Sequence, residues 1–228
     1  MKKRTLDGDT DTIVRANGPI NTGACGGSIG AGELISPNIR MNIYIGIHTY
    51  PGPGIYTISM LDPNRNEGVI NMDDSFNTPF FVETTLLIGS SSTGLDTNSS
   101  PILLIPPIDN ACTGKLFVHN PGAYDPNGDS LSYQIVDCMQ SNGEVISGFN
   151  TPANISINPI TGDLVWDTPP PLIDPGESTE DEYNVCFEII EWRNGIIIGR
   201  VLRDMQITVT DCINDPPEII AIDTCVLA

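Results

Sequence analysis

YNVCFEIIEWRNGIIIGRVLRDMQITVT (183–210) is the stretch whose reading decides the fold. Tyr183, Val185, Phe187 and Ile189 alternate with more polar neighbours and share one face of a strand. Val201, Met205, Ile207 and Val209 share one face of the next. Asn194-Gly195 between them is a hairpin turn pair. A plain two-residue turn would set Ile189 against Arg200 and put the two apolar faces out of phase. One extra residue sets Ile189 against Val201 and Val185 against Met205. The spacing therefore predicts a three-residue loop or a bulge near Gly195.

Upstream, ILLI (102–105), KLFVHN (115–120), LSYQIVDC (131–138), ISIN (155–158) and DLVWDT (163–168) are further strand candidates, each bounded by Pro, Gly, Asn or Asp. With the hairpin they make seven short strands in about 110 residues, the pattern of an Ig-like or cadherin-like sandwich. GSSSTGLDTNSSP (89–101) reads as a linker. Before it, MNIYIGIHTY (41–50) alternates Met41, Ile43 and Ile45 and reads as a strand. Pro51-Gly52-Pro53-Gly54 is a turn, and IYTISML (55–61) and PFFVETTLLIG (79–89) are two more strands. Residues 1–38 are irregular. Asp96, Asn98 and Cys112 are echoed by Asp211, Asn214 and Cys225, at offsets of 115 and 113 residues (211 − 96 and 225 − 112), about one sandwich per repeat. The expected organisation is all-β and tandem. It has a partial Ig-like domain over 1–95, a cadherin-like sandwich over 96–213, and the linker and start of a missing next repeat over 214–228.

Composition narrows the function. The 228 residues carry 29 Asp and Glu against 10 Lys and Arg, a net charge of -19. Such a surface repels phosphates and attracts cations, which argues against nucleic-acid partners and anionic membranes. No run reaches the ~18 apolar residues of a membrane span. The opening MKKRTLDGD is basic but lacks an apolar region behind it, so the chain reads as a segment of a longer exported protein. None of the six cysteines forms C-x-x-C, and their spacing suits structural disulfides in an oxidising compartment. The two histidines, His48 and His119, sit in no metal or nucleophile motif, and G-x-S-x-G and P-loop patterns are absent. A non-catalytic protein is expected. Trp166 and Trp192 read as core residues or as a sugar platform.

YDPNGDSLSY (124–133) carries the clearest chemistry. Asp125, Asn127 and Asp129, at i, i+2 and i+4 around Gly128, can converge on one hard cation or form a solvated Asx-type turn. EF-hand spacing is excluded, because the later Gly and Glu are missing. The cysteines admit a register argument. If 115–120 and 131–136 pair antiparallel around the 121–130 loop, 119 faces 131 and 112 faces 138, predicting a Cys112–Cys138 disulfide. Cys186 then faces the region of Asp204, not Cys212. Cys25 has no assigned partner, and Cys225 is the repeat's counterpart of Cys112.

DPNGDSLSY (125–133), SINPITGDLVWDTP (156–169) and EYNVCFEIIEW (182–192) together resemble the cadherin-like and Ig repeats of bacterial surface proteins. HNPGAYDPNGDSLSY (119–133) and HTYPGPGIYTISMLDPNRNEGVIN (48–71) look closest to large secreted Bacteroidetes proteins with a gliding-motility-associated C-terminal sorting domain. That resemblance implies Ca²⁺ at the domain junction. Its ligands would be Asp96 and Asn98 from the linker, Asp125 and Asn127 with Asp129 beside them, and Glu191 from the end of a late strand. Ser99 and Asn127 stand where the family carries Asp, which implies weak affinity. The implied role is an extracellular or cell-surface spacer or adhesion module. Its partners would be neighbouring repeats of the same chain, with surface proteins or glycans beyond. The alternative is a carbohydrate-binding or accessory module of a secreted enzyme, which an exposed Trp192 coplanar with Tyr183 or Tyr133 would favour.

Overall fold

The computed structural model describes residues 2–5, 10–12, 16–17, 32–36, 39–167, 169–173 and 179–212. Its strands are β1 (Lys2–Thr5), β2 (Thr10–Thr12), β3 (Glu33–Ser36), β4 (Ile39–Met41), β5 (Gly54–Asp62), β6 (Phe80–Ile88), β7 (Ile102–Leu103), β8 (Ile108–Cys112), β9 (Phe117–His119), β10 (Ala123–Tyr124), β11 (Ser130–Val136), β12 (Ile155–Ile157), β13 (Leu164–Trp166), β14 (Glu180–Arg193) and β15 (Ile196–Thr210). Three short 3-10 turns complete the regular structure, and among the described residues there is no α-helix. The fold is an all-β sandwich.

The β14–β15 hairpin organises it. Ile189 pairs with Val201 and Val185 with Met205, the register that keeps both apolar faces together. The turn is a two-residue Asn194-Gly195 pair with φ of 54° and 78°, as a type I′ turn requires. The extra residue is Ile198. Glu191 pairs with Gly199 but Trp192 with Ile197, so a bulge restores the phase. On one side β14 pairs with β11. On the other, β15 pairs antiparallel with β6 over Gly199–Val201 and parallel with β8 over Gln206–Thr210. The sheet thus continues through β6 into β5, β1 and β2.

A second sheet, β12–β13–β9, covers one face of the hairpin. Between the sheets lie Tyr183, Val185, Phe187, Ile189, Met205, Ile207 and Val209 from the hairpin and Phe117, Leu164 and Trp166 from the facing strands. Trp166 meets the Tyr183 ring edge-on at 5.1 Å, and its Nε1 donates to the Ala153 carbonyl (3.0 Å). The opposite face of the hairpin is covered by loops. Val69, Met72, Cys138, Ile146, Cys186 and Leu202 form a second apolar cluster there. The β5–β6 loop completes the sheet where β11 ends. Ile70 N donates to Glu182 O (2.8 Å), and the Asn71 side chain brackets Asn184 by accepting from its N–H (2.9 Å) and donating to its carbonyl (2.8 Å). Arg65 in the same loop forms a buried ion pair with Asp204 (2.6 Å).

Three expectations fail. Residues 1–38, read as irregular, contain β1, β2 and β3, and β1 is a strand because β5 offers it an antiparallel edge. The alternation in 41–50 does not make a strand: β4 ends at Met41, and Ile43, Ile45 and Ile47 are exposed, with no layer among the described residues packed on them. The Cys112–Cys138 bond is replaced by Cys112–Cys212 and Cys138–Cys186, with Cα–Cα distances of 5.3 and 5.1 Å. The reason is topological. β9 pairs with β13 in one sheet while β11 pairs with β14 in the other, so the two strands are not neighbours. Cys186 does face Asp204 across the hairpin. Two disulfides fit an oxidising environment. Cys25, Cys225, Asn214 and Asp215 lie outside the described residues, as does the 214–228 segment.

Candidate metal centre

The odd positions of β14 fill the core as far as Ile189, and the same face then continues with Glu191 and Arg193. Alternation therefore carries a carboxylate to the end of the apolar stripe. Glu191 has no exposed surface, and neither carboxylate oxygen makes a well-formed hydrogen bond, although the Asn98 amide lies close enough to act on it. Its cross-strand neighbour is Gly199, where a Cβ would collide with Glu191 Oε2. The absence of a side chain there makes room for the carboxylate.

Asp125 and Asp129 reach the same point from the turn before β11. Asp125 Oδ1 accepts the backbone N–H groups of Asn127 (2.8 Å) and Asp129 (3.0 Å), which closes the turn, and Gly128 takes the positive φ of 84° that the bend needs. Asp125 Oδ2 is buried without a partner. One oxygen from each of Asp125, Asp129 and Glu191 lies within 4.8 Å of the others. Burial, joined by the like charges of Asp125 and Asp129, pushes the Glu191 carboxyl up to about 7, with the Asn98 amide pulling the other way. Asp129 moves the opposite way, held below the usual carboxylate range by its bond to Arg193.

Arg193 is the residue the sequence reading missed. Its Nε donates to Asp129 Oδ1 (2.8 Å) and its Nη2 to Asp129 Oδ2 (2.6 Å) in a two-point pair. The same guanidinium donates to Asn98 Oδ1 (2.8 Å) and to the carbonyls of Thr97 (2.9 Å) and Gly94 (3.3 Å). Asn127 adds a further tie, its Oδ1 accepting the Ser99 N–H (2.7 Å). The 89–101 segment is therefore fastened to the sandwich by side chains. The available signal was Arg193 itself, the next charged residue on the face that Glu191 ends.

Of the six residues singled out from the sequence, Asp125, Asp129 and Glu191 converge. Asn98 joins through Arg193, and Asn127 turns to the linker backbone. Asp96 is exposed and borders a shallow groove with His48, Tyr50 and Ile88. The donors at the centre are all carboxylate oxygens, which suits a hard cation such as Ca²⁺ or Mg²⁺ rather than a thiophilic metal. Three carboxylates against one guanidinium leave the cluster two charges short of neutrality when all are ionised. A divalent ion matches that deficit, and the Glu191 oxygens and Asp125 Oδ2, which make no well-formed hydrogen bond, supply the vacant lone pairs. The residues fit the ion.

The residues named for a sugar platform are placed otherwise. Trp166, Tyr133 and Tyr183 are buried, and Trp192 is half-buried with its Nε1 donating to Ser132 Oγ (2.8 Å). No helix among the described residues is long and apolar enough to cross a membrane. No family model matches the chain, and no curated protein does.

Proposed function

We propose that the chain is a non-catalytic spacer or adhesion module of an exported surface protein, and that Ca²⁺ at Asp125, Asp129 and Glu191 stabilises the junction with its 89–101 segment. The observation that carries the reading is the fully buried Glu191 carboxylate, without a well-formed hydrogen bond, between two other acids. A buried charge so poorly hydrogen-bonded is costly. A divalent ion removes that cost and links β14 to the turn that Arg193 and Asn127 fasten to the linker. The disulfides and the strongly acidic surface agree with an extracellular or cell-surface setting. Neighbouring repeats of the same chain are the first partners, with surface proteins or glycans beyond them.

The test is the melting temperature in millimolar Ca²⁺ against EDTA, for the wild type, Asp125→Ala and Glu191→Gln. With Kd in the 10⁻⁴–10⁻³ M range of extracellular modules, millimolar Ca²⁺ at about ten times Kd is expected to stabilise by about 1.4 kcal/mol. Both variants are expected to lose most of the shift. Glu191→Gln, which removes the buried charge, is expected to melt higher than the wild type in EDTA. An unshifted wild type, or an equal shift in both variants, would reduce the acids to a solvated turn.

A further inference from the structure

We propose that the module bears tension along the chain without opening, because the Cys112–Cys212 bond passes a pull beside the sandwich instead of through it. The geometry stands by itself, and its use in the cell rests on the spacer reading above. β8 runs parallel to the end of β15, from Ile108 beside Gln206 to Cys112 beside Thr210. The C-terminal ends of the two strands therefore coincide. Cys112 and Cys212 are bonded with their Cα atoms 5.3 Å apart although they are 100 residues apart in sequence. Thr113 reinforces the corner. Its N–H donates to Thr210 O (3.0 Å) and its hydroxyl to Asp211 Oδ1 (2.6 Å).

A pull arriving from the N-terminal side runs down β8, crosses the disulfide and leaves beyond Cys212. Strands β9 to β15, with the inter-sheet core they build and the Glu191 centre, lie off that path, whereas Val69 and Met72 of the second cluster belong to the β5–β6 loop that the pull crosses before it reaches β8. The five register pairs of β8 and β15 would otherwise be sheared together. The bond at their common end stops them from sliding. The 94–98 segment is fastened to the sandwich by the hydrogen bonds of Arg193, with Leu95 O also accepting the Gly89 N–H (2.8 Å), so it yields before the strands closed off by the disulfide. The second disulfide is nested inside the first. Cys138 and Cys186 are 48 residues apart in sequence, and both are buried. Cys212 is exposed and Cys112 partly so, which lets a reductant reach the outer bond first.

Optical-tweezers stretching of the full chain, with handles at its two ends, tests this. The oxidised protein is expected to stop about 330–360 Å short of its full contour length, at 3.3–3.6 Å per residue for the closed loop. Mild thiol added to the folded protein is expected to release about 170–190 Å first, for the 52 residues (100 − 48) between the two loops. A further release of about 160–170 Å follows once unfolding uncovers Cys138–Cys186. The double variant Cys112→Ser, Cys212→Ser gives the first release without thiol, and thiol on the wild type makes the same comparison should that variant not fold. Extension of the oxidised wild type to full contour, or lengths that thiol does not change, would overturn the proposal. Failure of the Ca²⁺ shift would overturn the junction reading and leave these lengths untouched.

Discussion

The two halves of the molecule are built from similar strands and hold together by different means. β5 and β6 are nine residues each, yet β5 has no buried residue and β6 has only Phe81. In β14 and β15 every apolar residue facing the second sheet from Tyr183 to Ile189 and from Met205 to Val209 is buried. The difference lies in what covers each sheet. The C-terminal hairpin has β12–β13–β9 on one face and two loops on the other. The N-terminal hairpin contributes those covering residues, Val69 and Met72, to its neighbour and keeps little core for itself. Its order is borrowed through links to that neighbour, among them the β6–β15 register, the Ile70 bond to Glu182, the Asn71 bracket on Asn184 and the Arg65–Asp204 pair. A strand pattern alone does not tell a strand that owns a core from one that leans on another's.

The largest expected effect follows from that dependence. Phe187→Ala removes a fully buried ring between the sheets and should cost about 3–5 kcal/mol. Ile55→Ala, at a position 70% exposed, should change stability by less than about 0.5 kcal/mol. Hydrogen exchange should show β5 and β6 losing protection together with β14 in the Phe187 variant. Protection of β5 and β6 that outlasts β14 would break the comparison, because the N-terminal hairpin would then stand without its neighbour.

A smaller and more local effect is expected at the link between the halves. Arg65→Met leaves Asp204 buried without its cation, and breaking a pair of this kind costs about 3 kcal/mol or somewhat more. Burial already raises the Asp204 carboxyl, with Arg65 and the Asn184 amide (2.7 Å) opposing it. Losing Arg65 drives it further up. The double variant Arg65→Met, Asp204→Leu should recover most of the loss, since no charge is then stranded. Limited proteolysis sharpens the point. Cleavage within 63–79 should rise in the single variant and return towards wild type in the double one. Equal cleavage in all three would mean that Asn71 and the apolar contacts hold the loop without the ion pair.

How much of this was legible can be said residue by residue. The hairpin register and its bulge followed from phase, because Val185 and Met205 can only share a face if one residue is extra. β8 was not visible. Ile108–Cys112 reads IDNAC, with no alternation, and it is a strand because β15 offers a parallel edge about 100 residues away. The disulfides were misread for the same reason: sequential strands were taken as neighbours, while a sandwich sends β9 and β11 to different sheets. At the candidate centre Asp125, Asp129 and Glu191 were all named. Arg193 was passed over because a charge at a hairpin end usually points to water. Only the bulge at Ile198 and the proximity of 94–98 turn it inward.

His119 sets the smallest effect. It lies on β9 on the core side, 3% exposed, with Nδ1 2.8 Å from Asp109 Oδ2 and Nε2 buried without a partner. Burial lowers its pKa below the ordinary value, Asp109 resists, and the nearby Arg203 adds to the lowering. Arg203 is itself buried and pushed down to about 10, its Nη2 donating to the Ile105 carbonyl. The groups facing the imidazole thus pull against each other, and the net direction favours the neutral ring in the folded state. The unfolded chain protonates His119 near 6.5 while the folded one resists. The stability that His119 contributes is therefore present above about pH 6.5 and is lost as the pH falls below it. The acidic surface works the other way, since protonating carboxylates relieves the repulsion of a chain at -19. A bare pH-melting curve mixes the two. The difference in melting temperature between wild type and His119→Gln isolates the imidazole, and it should shrink steadily from pH 7.5 to 5.5. A difference that stays constant would show that His119 packs as an inert ring, and one that widens would show Asp109 outweighing burial and holding the imidazolium in the folded state.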